Sequence, residues 1–298
     1  MKSPITITLF FAITQIIGLF TGVVLLSKSI VYEEINELSV APTFITQDPN
    51  SPLNALVFLF YVLVGALLII VISKFYKGLI LYKVIELAVI SAASGITFFA
   101  FLLLVGLAFV ESLLLGSIFG FVLALLKFYH PELQNSAAII SSAGVGALFG
   151  FSLGFIPILI FIVLLSLYDY IAVFKTRHML ILANELSSRQ LSFSVTAKSV
   201  PPRGKKEKTK DYIERVQKEG ERIDLGTGDL AVPVMLSVSS LTLGQNPIVY
   251  ASSIAAGATL SLLVLLYFLS RQKVVLPALP PLCLGGLTLL LVARLLGF

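Results

Sequence analysis

The sequence predicts an all-α polytopic membrane protein with nine transmembrane helices, and three observations carry that prediction. Of 298 residues, 57% are hydrophobic and 12% are charged, about half the charged share of an ordinary soluble domain. Apolar runs of about 20 residues recur along the chain, the length that a ~30 Å hydrocarbon core demands of a helix. The lysines and arginines gather in alternate connections between those runs, as they do in chains threaded through a bilayer.

The first run, 5–26, follows a single Lys2. It is longer than the apolar region of about 7–15 residues in a cleaved signal peptide, and no small-residue cleavage site follows it, so it reads as a retained helix. Runs 53–73, 79–104, 107–126, 133–152 and 155–174 come next. The stretches 79–126 and 133–174 are nearly continuous, but a single helix of about 40 residues would overshoot any bilayer, so each is divided in two. The chain then turns hydrophilic, and runs 223–243, 247–269 and 274–296 complete the set. The organisation is therefore a six-helix part (1–175), a hydrophilic loop (176–222) and a three-helix part (223–298). Within the loop, 179–186 is apolar enough to lie on the membrane face as a short helix. Residues 200–210 hold Pro201, Pro202, Gly204 and five basic residues, the composition of a linker. Those charges either rest on anionic lipid, at about 1 kcal/mol each near the surface, or are simply solvated.

Orientation follows from basic residues. With nine crossings, one side holds Lys2, Lys74, Lys77, Lys83, Lys127, Arg271, Lys273 and 12 more from Lys175 to Arg222, against Lys28 and Arg294 on the other, a ratio of 19 to 2. The N-terminus and the 176–222 loop are expected to be cytoplasmic and the C-terminus outside. The outer connector 27–52 is acidic, with Glu33, Glu34, Glu37 and Asp48. The net charge of +5 comes from the one basic loop, and no aromatic-interleaved basic stretch marks a nucleic-acid binder. Cys283 is the single cysteine, read as helix packing. His130 and His178 stand apart outside the apolar runs, so neither a metal nor another cofactor is expected. A serine protease of the rhomboid type would need a histidine inside a helix, and none is there.

Two carboxylates break the apolar pattern. Asp169 lies near the end of 155–174 and Asp229 near the start of 223–243. A carboxylate at membrane depth costs about 2.5–3.5 kcal/mol on insertion scales, and a chain keeps one where it faces the protein interior or a wet cavity. Asp169 stands six residues before Lys175 and Asp229 seven residues after Arg222. At about 1.5 Å per residue both lie roughly 9–11 Å from the same membrane face, although their helices run antiparallel. Asp224 falls at the boundary, where reaching water suffices. Glu86 follows Lys83 by three residues and reads as a surface pair, and Glu111 as interfacial. A third element reaches the same depth. Pro277, Pro280 and Pro281 crowd the start of the last run and predict irregular backbone there, which lipid tolerates where it lines a cavity. Gly226 and Gly228 flank Thr227 just before Asp229, and lacking Cβ atoms they would let another backbone approach the carboxylate.

Leu167-Tyr168-Asp169, Gly226-Thr227-Gly228-Asp229 and Leu276-Pro277-Ala278-Leu279-Pro280 resemble the YD, GxGD and PAL signatures of the presenilin and signal peptide peptidase family. They fall in the sixth, seventh and ninth runs, as that family requires, and the chain looks most like the archaeal presenilin homologues. The resemblance implies a presenilin-like fold and an intramembrane aspartyl protease that cleaves single-pass transmembrane helices. Asp169 and Asp229 become the catalytic pair. Tyr168, Gly226, Thr227, Gly228, Pro277, Ala278 and Leu279 become residues that shape the site and engage substrate. The 19-to-2 bias favours the presenilin orientation over its inverse, which signal peptide peptidases adopt.

The chemistry is that of two close carboxylates sharing one proton. The ionised one takes a proton from water while the protonated one polarises the peptide carbonyl. The expected partners are transmembrane peptides and the lipid bilayer, without nucleic acid, and a homo-oligomer is compatible with the sequence. A second class stays open. Paired intramembrane carboxylates also mark proton- or cation-coupled transporters and leak channels, although these often carry inverted repeats and a midplane site, neither of which is evident here.

Overall fold

The structure, a computed structural model, describes residues 2–36, 48–75, 79–171, 194–199, 221–244, 246–272 and 278–297. Among them are nine α-helices: α1 (Lys2–Asn36), α2 (Pro52–Phe75), α3 (Leu79–Val105), α4 (Phe109–Tyr129), α5 (Gln134–Ser152), α6 (Phe155–Ile171), α7 (Thr227–Ser239), α8 (Pro247–Gln272) and α9 (Leu279–Leu295). Two strands, β1 (Ser194–Ser199) and β2 (Glu221–Gly226), pair antiparallel immediately before α7. Six helices are long and apolar enough to cross a membrane, namely α1 to α5 and α8. The 17-residue α6 and α9 are shorter apolar helices, and α7 has 13 residues, extended by a 3₁₀ turn at Ser240–Thr242.

Both divisions inferred from length fall where expected. Gly106 separates α3 from α4 at φ 97°, a left-handed conformation that glycine adopts without cost. Leu153 and Gly154 separate α5 from α6. Three boundaries differ. α1 continues to Asn36, so the acidic connector is helical in its first part. α9 starts at Leu279 rather than 274. The seventh helix starts at Thr227 rather than 223, because 221–226 is a strand. The segments 179–186 and 200–210 lie outside the described residues.

The core is built around α7, which contacts α1, α5, α6, α8 and α9. Every residue of 230–241 is buried. Close approach rests on small residues, the usual basis of helix association in lipid. A Cβ on Gly18 of α1 would lie 2.3 Å from Val234, and one on Gly146 of α5 would lie 2.6 Å from the Ala231 carbonyl oxygen. One turn further along, Gly22 and Gly150 stand in the same relation to Val238. Thus α1, α5 and α7 run parallel, with two valines of α7 set into glycine gaps on both neighbours. Glu86 is not the surface partner of Lys83. It is buried and pairs with Lys127 of α4, itself buried. A carboxylate inside an apolar helix pair needs a cation there, and the neighbouring helix supplies it.

The ends of the helices sort into two sets. At one end, Ile7 and Phe11 of α1, Ala138 of α5, the hairpin residues Val195 and Leu225, Leu230 of α7, Leu266 of α8 and Leu282 of α9 form one apolar cluster. At the other, the Gly154 N–H donates to the Pro49 carbonyl at 2.9 Å, and the Arg294 guanidinium sits over the Tyr250 ring at 5.5 Å.

Candidate active site

Asp169 sits on the last described turns of α6 and is buried, whereas the neighbouring Tyr168 is exposed. Asp229 sits in the first turn of α7, and helix capping explains its setting. Gly226 is the N-cap, with extended backbone at φ −63° and ψ 147°, which places Asp229 at the third helical position. A side chain there can reach back toward the N-cap N–H, and the Asp229 carboxylate does turn back over Gly226. A helix N-terminus also favours negative charge. A Cβ on Gly226 would come 3.3 Å from Asp229 Oδ2, so glycine leaves this carboxylate its room.

The two carboxylates are brought together. Asp169 lies within electrostatic range of Asp229, and Asp229 within range of Cys283 in α9. The end of α6, the start of α7 and the first turns of α9 therefore lie near one another. Among the described residues, no three His, Cys, Asp or Glu side chains cluster as a metal site would require.

The remaining expected site residues divide. Thr227 opens α7. Gly228 is exposed, and a Cβ there would meet no atom within 4 Å. The helix–helix approach expected at this glycine pair is instead made by Gly18, Gly22, Gly146 and Gly150. Ala278 is the N-cap of α9, and Leu279 is buried in a cluster with Val232, Met235 and Leu236 of α7. Pro277 lies outside the described residues. Pro280 and Pro281 fall in the first turn of α9, where the missing N–H groups would have no helical partner anyway. The Ser261 hydroxyl of α8 donates to the Pro281 carbonyl at 2.6 Å and anchors that turn.

Two features escaped the sequence reading. The first is the hairpin, whose register pairs Ser194 with Gly226 and Thr196 with Asp224. Asp224 is thus an exposed strand residue rather than part of a helix, and the Thr196 hydroxyl donates to its carboxylate at 2.5 Å. The signal lay in alternation, with Val195 and Ala197 buried on one strand and Leu225 on the other, the period of a half-buried strand. The second feature lies inside α7. Pro233 has no N–H to offer the Asp229 carbonyl four residues back. One residue on, the Leu230 carbonyl accepts from Gln15 Nε2 of α1 at 3.3 Å.

Comparison with known proteins agrees with this geometry. A family model described as signal-peptide peptidase, presenilin aspartyl protease matches residues 8–297. A presenilin family intramembrane aspartate protease solved in space group C222 superposes with a TM-score of 0.64 at 23% identity, covering 99% of each chain. A structure described in the same words, in space group P2, gives 0.57 at 24% identity over 95% of this chain and 97% of that one. At such identities these two likenesses speak to the fold. No curated protein matches.

Proposed function

The chain belongs to the signal-peptide peptidase, presenilin aspartyl protease family and is an integral, multi-pass intramembrane aspartyl protease, and from that premise we propose that Asp169 and Asp229 are its catalytic pair. One observation supports the assignment: Asp169, buried near the end of α6, lies within electrostatic range of Asp229 in the first turn of α7. One proton is shared between them. The ionised carboxylate takes a proton from water, whose oxygen attacks the scissile carbonyl carbon. The protonated carboxylate donates to the carbonyl oxygen. Collapse of the tetrahedral diol breaks the C–N bond as the amide nitrogen gains a proton. No covalent intermediate forms.

The substrate is a single-pass transmembrane helix. A peptide bond in a regular helix is shielded from water, so the segment opens locally first. The Pro277-Ala278-Leu279 stretch, preceding a helix that starts at Leu279, offers backbone partners to the opened strand. Tyr168, Gly226, Thr227 and Gly228 complete the wall around the pair. Gly228 stands beside open space, where substrate backbone approaches Asp229.

The chain crosses the membrane nine times, with the end that carries Asp169, Asp229 and the hairpin facing the cytoplasm. The 19-to-2 distribution of basic residues supports this orientation. So does the clustering of residues from the start of α1, the first half of α5, the hairpin, the later part of α8 and the start of α9 at one end of the bundle. In connectivity the chain is then a six-helix part (1–175), a cytoplasmic loop (176–222) and a three-helix part (223–298). The test is cleavage of a model transmembrane peptide in proteoliposomes, comparing the wild type with Asp169→Ala and Asp229→Ala. Peptide release that either variant abolishes supports the assignment. A cation leak without peptide release would overturn it in favour of a transporter or channel.

A further inference from the structure

Asp229 is positioned by what precedes it. β2 ends at Gly226, which is the N-cap of α7 and lies under the Asp229 carboxylate. Whatever holds β2 therefore holds the carboxylate. A two-stranded sheet is marginal by itself, and residues 200–220 separate the two strands in sequence. One face of the hairpin is secured by packing, with Val195, Ala197 and Leu225 against Ile7 and Phe11 of α1.

The outer edge of β1 is secured differently. Asn135, in the first turn of α5, accepts from the Thr196 N–H through Oδ1 at 2.9 Å. Its Nδ2 donates to the Thr196 carbonyl at 3.0 Å. The side-chain amide thus satisfies both backbone groups of one strand residue, as a neighbouring strand would. Next to it, Gln134 Nε2 donates to the Ser194 carbonyl at 3.4 Å. Ser194 stands opposite Gly226, and Thr196 opposite Asp224. The clamp therefore acts on the two β1 positions that face the last residues before the Asp229 turn.

We propose that Asn135 is a positioning residue, a stand-in strand that closes the edge of β1 and keeps the hairpin, and with it Asp229, in register before substrate arrives. This rests on the reading of Asp229 as catalytic. Without the clamp, hairpin ordering is charged to substrate binding, and apparent affinity falls by the fraction of time the hairpin is formed. Catalysis in the saturated complex, where the hairpin is ordered, stays near normal. Closing the edge also denies it to another chain as a template for strand addition.

The test uses the full-length protein in nanodiscs, with Asn135→Ala and Asn135→Asp. The aspartate keeps the acceptor for the Thr196 N–H and loses the donor. Hydrogen exchange is measured on peptides covering 194–199, 221–226 and 137–150, alongside cleavage kinetics with a transmembrane peptide. The expected result for Asn135→Ala is faster exchange in both strands with 137–150 unchanged. KM should rise about tenfold, the effect of losing one or two ordinary hydrogen bonds, with kcat within about twofold. Asn135→Asp should fall between Asn135→Ala and the wild type in both measurements. Unchanged exchange in the two strands overturns the proposal, and so does loss of protection across 137–150, which would make Asn135 a general support of α5. The exchange measurement needs no turnover. If the wild type fails to cleave, the protease reading fails while the clamp is still decided.

Discussion

α2 and α5 are both apolar helices of spanning length, yet they live in opposite surroundings. In α2, 17% of the spanning residues are buried, against 61% in the stretch that includes α5. The more buried helix is the less hydrophobic one. α2 reads Leu-Ile-Ile-Val-Ile through its last turns and exposes Phe60, Leu67 and Leu68. α5 reads Ser-Ser-Ala-Gly-Val-Gly-Ala and buries nearly all of it. In water this would be backwards. In a bilayer it is expected, because lipid solvates leucine as well as protein does, and helices associate where small residues let backbones come close. Apolar content therefore identifies which segments enter the membrane. Small-residue spacing identifies which of them surround the site.

The largest effect expected on the inner side of that contrast is catalytic. Asp169→Asn and Asp229→Asn should each abolish proteolysis while the thermal midpoint in detergent stays near wild type, because in the proposed mechanism one carboxylate supplies the base and the other the acid. Asp224→Asn, on the exposed strand, should be mild and serves as the control. Wild-type activity should rise and fall with pH, reporting two macroscopic pKa values that belong to the pair. Near-normal turnover in either single variant would break the pair.

Next in size is the packing of α7. A Cβ at Gly146 would stand 2.6 Å from the Ala231 carbonyl oxygen and 2.7 Å from Val234 Cβ. The first is backbone and cannot swing aside. Gly146→Ala should cost about 1–3 kcal/mol, as overpacking does, and should lower activity by shifting the helix that carries Asp229. A thermal midpoint unchanged from wild type would mean that α5 and α7 can separate at little cost.

Much of this architecture could be read from sequence, and the failures share one cause. The division of 79–126 and 133–174 into helix pairs follows from bilayer thickness alone. That Asp169 falls near the end of α6 and Asp229 in the first turn of α7 follows from counting residues to the nearest basic flank. Both are local arithmetic. Long-range partners left no such trace. Glu86 has Lys83 within one turn, yet it pairs with Lys127, 41 residues away. The hairpin was hidden because 223–226 merges into the apolar run of α7, and its edge partner Asn135 lies 61 residues from Thr196. Gly226 and Gly228 stand out in sequence beside an aspartate, whereas the close helix contacts belong to Gly18, Gly22, Gly146 and Gly150, whose partners on α7 are remote in the chain.

Pro277→Ala should have a smaller effect that separates function from fold. If the proline keeps the approach to α9 irregular so that its backbone can engage an opened substrate, alanine should lower cleavage several-fold while the thermal midpoint stays close to wild type. Helix-stabilising substitutions in the substrate, at constant hydrophobicity, should slow cleavage through the same step. Unchanged rate and cleavage-site preference in Pro277→Ala would reduce the proline to a simple kink.

The smallest effect belongs to α2 and sharpens the contrast most. Leu67 is 59% exposed and Leu68 55%, on a helix that, among the described residues, packs chiefly against α6. In a soluble protein, cutting a leucine to alanine inside an apolar segment creates a cavity. Here the removed methyl groups leave a gap that lipid fills, so no cavity term arises. Leu67→Ala should therefore stay within about 0.5 kcal/mol of wild type, measured by reversible unfolding in bicelles, against the loss expected for Gly146→Ala in the same medium. A loss above about 1 kcal/mol at Leu67 would mean that protein rather than lipid covers this face in the membrane, and α2 would then have to be counted with the inner helices.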